Sequence, residues 1–221
     1  FEKISFHIDE LVILNVSQDK TDINNFSDTL SKISENCFVP ISAGGGIKSI
    51  ADAELLLKKG ADKIIINSLF INNQHIVKDI ISAYGKQFIV GSIDYKKINM
   101  TNFIPVINNG NLEIDLDLNS YISKIANEFV GEIYLNSIDR DGTGDGLYID
   151  LLNKLDLKLD IPLIFAGGVG YWKHIYEGLI HDKIDAVATA NLFNFVGDGL
   201  SNARKKLINA KTSLATWPDI S

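Results

Sequence analysis

Seven short apolar runs punctuate the chain, each followed by a polar or glycine-rich loop and then by residues with helical spacing. They are Glu10–Val16, Val39–Ala43, Lys63–Asn67, Gln87–Ile93, Glu132–Ile138, Ile161–Ala166 and Asp185–Ala190. Their apolar content is continuous rather than alternating, which is the pattern of strands buried on both faces in βα units. Between them, Ser49-Ile50-Ala51-Asp52 reads as a capping box with the shorter acid, and Lys58-Lys59-Gly60 as a basic last turn and a glycine stop. A last helix is predicted near Leu200–Ile208, with Arg204, Lys205 and Lys206 on its solvent side. One segment departs from the alternation. Phe103–Ile114 reads as two short strands about Asn109-Gly110, a hairpin inserted in a βα connection, where it would sit over the mouth of a barrel.

The chain also repeats itself. Without gaps, residues 43–70 and 166–193 share 8 identities in 28, with Ala43-Gly44-Gly45 on Ala166-Gly167-Gly168, Glu54 on Glu177, Asp62 on Asp185 and Leu69-Phe70 on Leu192-Phe193. Two like quarters half a turn apart predict an α/β fold of the (β/α)8 TIM-barrel class with half-barrel pseudo-symmetry, a single domain over 1–221. Seven strands leave such a barrel one short. The opening Phe1-Glu2-Lys3-Ile4-Ser5-Phe6 reads as the tail of a helix, so an eighth strand is expected upstream of it.

Candidate chemistry falls at the strand ends. In each half of the repeat a glycine pair follows one strand and a small polar residue ends the next. Gly45 and Gly46 with Asn67 and Ser68, and Gly167 and Gly168 with Ala190 and Asn191, are therefore expected to cradle one phosphate each. Gly142 and Thr143 are further phosphate candidates. Asp94 and Asp141 lie at or just beyond strand ends, where carboxylates serve in proton transfer, and Asp139 fits an Asx turn equally well. At the opposite face Glu10, Lys63 and Glu132 open three strands, as solvated ends or as a ring of charges on the barrel floor. His7, His75, His174 and His181 fall in helical stretches without zinc-like spacing, so no metal or cofactor is expected.

Composition narrows the partners. A net charge of −7 argues against a nucleic-acid binder, and a lone cysteine, Cys37, excludes an intrachain disulfide and suits a reducing, cytoplasmic setting. No apolar run reaches membrane-spanning length.

The stretches Asp9-Glu10-Leu11-Val12-Ile13-Leu14, Gly44-Gly45-Gly46-Ile47, Gly60-Ala61-Asp62-Lys63, Ser92-Ile93-Asp94 and Ser137-Ile138-Asp139-Arg140-Asp141-Gly142-Thr143 together resemble HisF, the cyclase subunit of imidazole glycerol phosphate synthase. That resemblance implies a barrel that joins ammonia to a bisphosphate nucleotide. It implies a heterodimer with a HisH-like glutaminase docked on the N-terminal face, and an ammonia path up the barrel axis. It makes Asp94 one of two acid–base aspartates, Glu10, Lys63 and Glu132 members of the floor gate with a further cation expected, and Asp62 a partner contact. Four positions depart from the HisF pattern: Asn15 for an aspartate, Asn136 for a threonine, Ala166 for a serine, and Asn109-Gly110-Asn111 in a hairpin that usually carries lysines. All four are expected at the mouth. The reading placed first is therefore a paralogue that keeps the ammonia path and acts on a phosphorylated or nucleotide-sugar substrate, making acetamidino sugars of surface polysaccharides. The alternatives are the histidine-pathway cyclase and a barrel that only activates a glutaminase.

Overall fold

Strongly β-branched runs such as Lys63-Ile64-Ile65-Ile66 do form strands, and short helices with one apolar face cover them. The computed structural model describes residues 7–17, 23–156, 158–190, 192 and 199–215. In chain order the elements are β1 (Leu11–Leu14), α1 (Ile23–Ser34), β2 (Ile41–Gly44), α2 (Ile50–Lys58), β3 (Lys63–Ile66), α3 (Leu69–Asn72), α4 (Gln74–Tyr84), β4 (Ile89–Lys97), β5 (Phe103–Ile107), β6 (Leu112–Glu113), α5 (Leu118–Glu128), β7 (Glu132–Ser137), α6 (Ile149–Lys154), β8 (Leu163–Ala166), α7 (Trp172–Leu179), β9 (Ala186–Val187) and α8 (Gly199–Asn209). Seven strands run parallel in the order β1-β2-β3-β4-β7-β8-β9, the expected α/β-barrel architecture.

Among the described residues β1 and β9 each pair with one strand only. Residues of both edges line the same cavity of about 1100 Å³, so the sheet curls toward closure around it. Between sheet and helices lies a continuous apolar layer in which Leu30, Leu56, Phe70, Ile80, Ile122, Phe129 and Phe165 are fully buried. The strand partners fix which side chains face inward. Val90 pairs with Glu132, Ser92 with Tyr134 and Asp94 with Asn136, so these six share one face with Lys63 and Ser42, which are likewise partners.

The sequence expectations hold with shifts at the edges. The capping box of α2 is present: the Asp52 amide donates to Ser49 Oγ at 3.2 Å, and the Ser49 amide to Asp52 Oδ2 at 2.9 Å. The hairpin is present, with Asn108, Asn109 and Gly110 all at positive φ. It is larger than its two predicted strands, because β4 runs on past Ile93 to Lys97 and pairs antiparallel with β5, making a three-stranded flap beyond Asp94.

Four readings need correction. Arg204 is not on the solvent side of α8. It is buried and grips Asp9 with both guanidinium nitrogens, at 3.1 and 2.8 Å, tying the last helix to the entry of β1. His7 lies in a turn ahead of β1 and His181 in the turn after α7, neither in a helix. His174 is in α7, but near the mouth, against Gly146. The gapless repeat is also one residue out at its glycines. Gly45 and Gly46 (φ +96° and +82°) correspond in conformation to Gly167 and Gly168 (+95° and +96°). The offset there is 122 and becomes 123 at Asp62 and Asp185, so one copy holds an extra residue between glycines and aspartate. Residues Phe1–Phe6, Asn191 and Phe193 lie outside the described residues.

Candidate active site

At the C-terminal end of the sheet, Asp94 sits on β4 between two asparagines. Asn67, directly after β3, donates its side-chain amide to Asp94 Oδ2 at 2.8 Å. Asn136, on β7 opposite Asp94, donates to Oδ1 at 3.3 Å. Both carboxylate oxygens are thus engaged by neutral donors on the two flanking strands, which fixes the plane of the group. The sequence places Asn67 among the phosphate candidates, but its side-chain amide goes to Asp94. The sequence marks Asn136 only as a departure; its register opposite Asp94 gives it a partner that no spacing rule along one strand reveals.

Asp141 lies in the loop after β7, exposed, and its amide bonds Ser137 O at 2.9 Å. It lines the cavity, as do Gly142, Gly167, Gly168 and Ala190. Thr143 turns its hydroxyl back to Arg140 O at 2.8 Å within its own loop. Asp139 does not make an Asx turn, since the Asp141 amide goes to Ser137 O; its side chain accepts instead from Ser137 Oγ at 2.7 Å, Lys97 N at 3.2 Å and the Tyr148 hydroxyl at 3.1 Å. It thereby ties the flap to the β7 loop, where Tyr148 also packs against Phe103 and under the Arg140 guanidinium.

The glycine pairs have a steric reason to be glycine. A Cβ on Gly45 would stand 2.5 Å from Asn15 O, and one on Gly167 2.5 Å from Ser137 O, at φ values that L residues avoid. Backbone passes close to backbone at the same point of each repeat. Ser68 precedes the short α3 without a side-chain cap bond, leaving its hydroxyl for other use.

At the other end of the same strands the three floor charges meet. Lys63 Nζ lies 2.5 Å from Glu132 Oε1 and 3.5 Å from Glu10 Oε1. Burial works against the Lys63 ammonium. The Glu132 hydrogen bond and both carboxylate charges outweigh it and hold its pKa above the ordinary lysine value. Glu10 is pushed up, first by burial and further by Glu132, against the pull of Lys63. Glu132 Oε2 is buried, and no described residue donates to it.

Asp62, on the same face, accepts the Ile41 amide at 2.8 Å, and its repeat equivalent Asp185 accepts the Leu163 amide at 2.9 Å. Each latches the start of a strand. Cys37 is partly buried with Sγ 3.6 Å from Val39 O. No helix among the described residues is long and apolar enough to cross a membrane, and no cluster of three metal-ligating side chains occurs among them.

The family described as histidine biosynthesis protein matches residues 4–197. A HisF2 relative from Parasynechococcus marenigrum, named for imidazole glycerol phosphate synthase, is 45% identical over 215 residues, covering 97% of this chain and 80% of its own. The HisF subunit of Flavobacterium psychrophilum is 38% identical over 85% of this chain and 74% of its own, and that of Bacillus cereus 30% identical over 93% and 82%.

Proposed function

The chain belongs to the HisF family, and on that premise we propose that it is the ammonia-using subunit of a glutamine amidotransferase, fed through its floor by a HisH-like glutaminase. One observation carries the reading. Lys63 and Glu132 at the starts of β3 and β7, and Asp94 and Asn136 toward the ends of β4 and β7, lie on one face of the sheet, so floor and mouth chemistry share that face. Neutral ammonia can pass a ring of charges that holds back ions, because an ion entering it must shed its hydration. Glu132 Oε2 is the place for one further cation, and Asp62 borders the docking face. At the mouth Asp94, oriented by Asn67 and Asn136, moves protons as bonds to ammonia form, and Asp141 assists from the loop. The glycine pairs, with Ser68 and the Ala190-Asn191 end, hold anionic groups of the substrate at two points; Thr143, whose hydroxyl and amide both go to Arg140 O, shapes its loop instead.

For the substrate, the asparagines and alanine at the mouth favour a phosphorylated or nucleotide-activated acetamido sugar, converted to an acetamidino sugar as ammonia adds to the acetamido carbon and its carbonyl oxygen leaves as water. Asn136 on Asp94 is the observation behind this choice, since it lies in the first layer a substrate meets. The second reading, the cyclase of histidine biosynthesis, keeps the same floor and the same Asp94. Offering the purified protein the ribulosyl aminoimidazole carboxamide bisphosphate nucleotide with ammonium separates them. The proposed reading gives no imidazole glycerol phosphate, and its prompt formation establishes the second.

A further inference from the structure

Between floor and mouth, β7 turns a third side chain inward. Glu132 belongs to the floor cluster and Asn136 to the Asp94 site, and Tyr134 alternates between them on the same face. At about 3.3 Å of rise per residue, its Cα stands roughly 7 Å from each. Tyr134 lines the cavity that Glu10, Glu132 and Asp141 line as well. Its neighbours in register are Ser92 on β4 and Ile164 on β8. Neither the Tyr134 nor the Ser92 hydroxyl bonds to another described residue, and neither oxygen is sealed away among the buried unpartnered atoms. Burial, then the fields of Asp141 and Asp94, push the Tyr134 phenol up, so the group stays a neutral donor.

A partly open phenol in a lumen flanked by charges at both ends does two things. The ring adds bulk to the inner face beside the aliphatic Ile164 and its own register partner Ala186. The hydroxyl offers the one kind of contact that ammonia, a strong acceptor and weak donor, needs while crossing an apolar layer. We propose that Tyr134, with Ser92 beside it, is the mid-barrel station of the ammonia path: it hands neutral ammonia from the floor to the Asp94 site and keeps bulk solvent from entering behind it. The inference rests on the reading of the floor as an ammonia entrance. It assigns Tyr134 a positioning role without bond making.

The test uses the complex with a HisH-type glutaminase, [amide-15N]glutamine and excess unlabelled ammonium, with the bisphosphate nucleotide and an acetamido nucleotide-sugar as acceptors in turn. Wild type should place mostly 15N in the product. Tyr134→Phe, which keeps the ring, should lower glutamine-driven turnover about tenfold, the worth of one hydrogen bond, while turnover on ammonium entering from the mouth falls far less. Tyr134→Ala should also let unlabelled nitrogen supply most of the product. If both variants keep the wild-type 15N fraction and rate, the inference falls and the floor reading stands. If wild type itself takes its nitrogen from the bulk or forms no product, the floor reading fails and the inference with it. Should Tyr134→Ala not fold, Tyr134→Phe decides alone.

Discussion

Asp94 is a carboxylate with a carboxamide on each oxygen, and its behaviour follows from that. Asp94→Asn keeps the shape and removes proton transfer, so turnover should fall by about 100-fold or more with substrate binding little changed; initial-rate kinetics measure both. Asn136→Leu removes one donor and lets the carboxylate swing. The loss should be smaller, roughly tenfold in kcat, and Asn136→Gln should not restore it, because the extra methylene carries the carboxamide past Oδ1 at the same register. Glu10 offers a pH readout. Its folded pKa is raised above the ordinary value of 4.5, with burial the first cause. Such a group stabilises the fold fully below the unfolded pKa, and that contribution is lost as pH rises through the folded one. Glu10→Gln should therefore melt slightly higher than wild type near pH 8, and the difference should shrink to nothing below about pH 4, by thermal melts across that range. At this scale the sequence shows residue types at strand ends but not which ends touch. Asp94 and Lys63 are legible because strand termini in barrels carry chemistry. Asn136 on Asp94 is a relation between strands 42 residues apart, and only register supplies it.

The repeat is the clearest case among the elements. A strand, a turn at positive φ, a helix and an aspartate latching the strand start recur in both halves. Asp62→Ala and Asp185→Ala each strip one acceptor from a strand-opening amide that water can partly replace, so each should cost about 1 kcal/mol by urea unfolding. Similar losses are the expected mark of equivalent roles; a far larger loss at one site would mean that the repeat is unequal there. Gly167→Ala, forced against Ser137 O, should be worse than either. Strand existence is legible from apolar runs and strand ends less so: β9 is two residues of the six-residue run Asp185–Ala190, because its register with β8 ends at Val187. The extra residue in one repeat is invisible to a gapless alignment, since Gly44, Gly45 and Gly46 in a row let the match slide by one. The flap is larger than predicted because Asp94-Tyr95-Lys96-Lys97 has too mixed a pattern to read as strand, yet β5 pairs with all of it. Arg204 shows the same limit for helices. A basic triplet reads as a solvated face, but a bidentate carboxylate partner draws one member inside.

For the molecule as a whole, the parallel sheet carries one inner face with unlike ends: charges that attract each other at the floor, an oriented carboxylate and glycine-walled loops at the mouth. The β3 and β7 strands contribute to both, Lys63 with Asn67 and Glu132 with Asn136, so the fold itself holds the two ends in register. The most direct measurement is the ratio of glutamine-driven to ammonium-driven turnover in Lys63→Ala, assayed with a HisH-type glutaminase bound. Removing Nζ leaves Glu10 and Glu132 facing each other without the cation between them. Glutamine-driven turnover should then drop by about tenfold or more, while turnover on external ammonium, which enters past Asp94, falls much less. Equal losses in the two assays would mean that Lys63 only supports the fold, and would contradict a floor that admits ammonia.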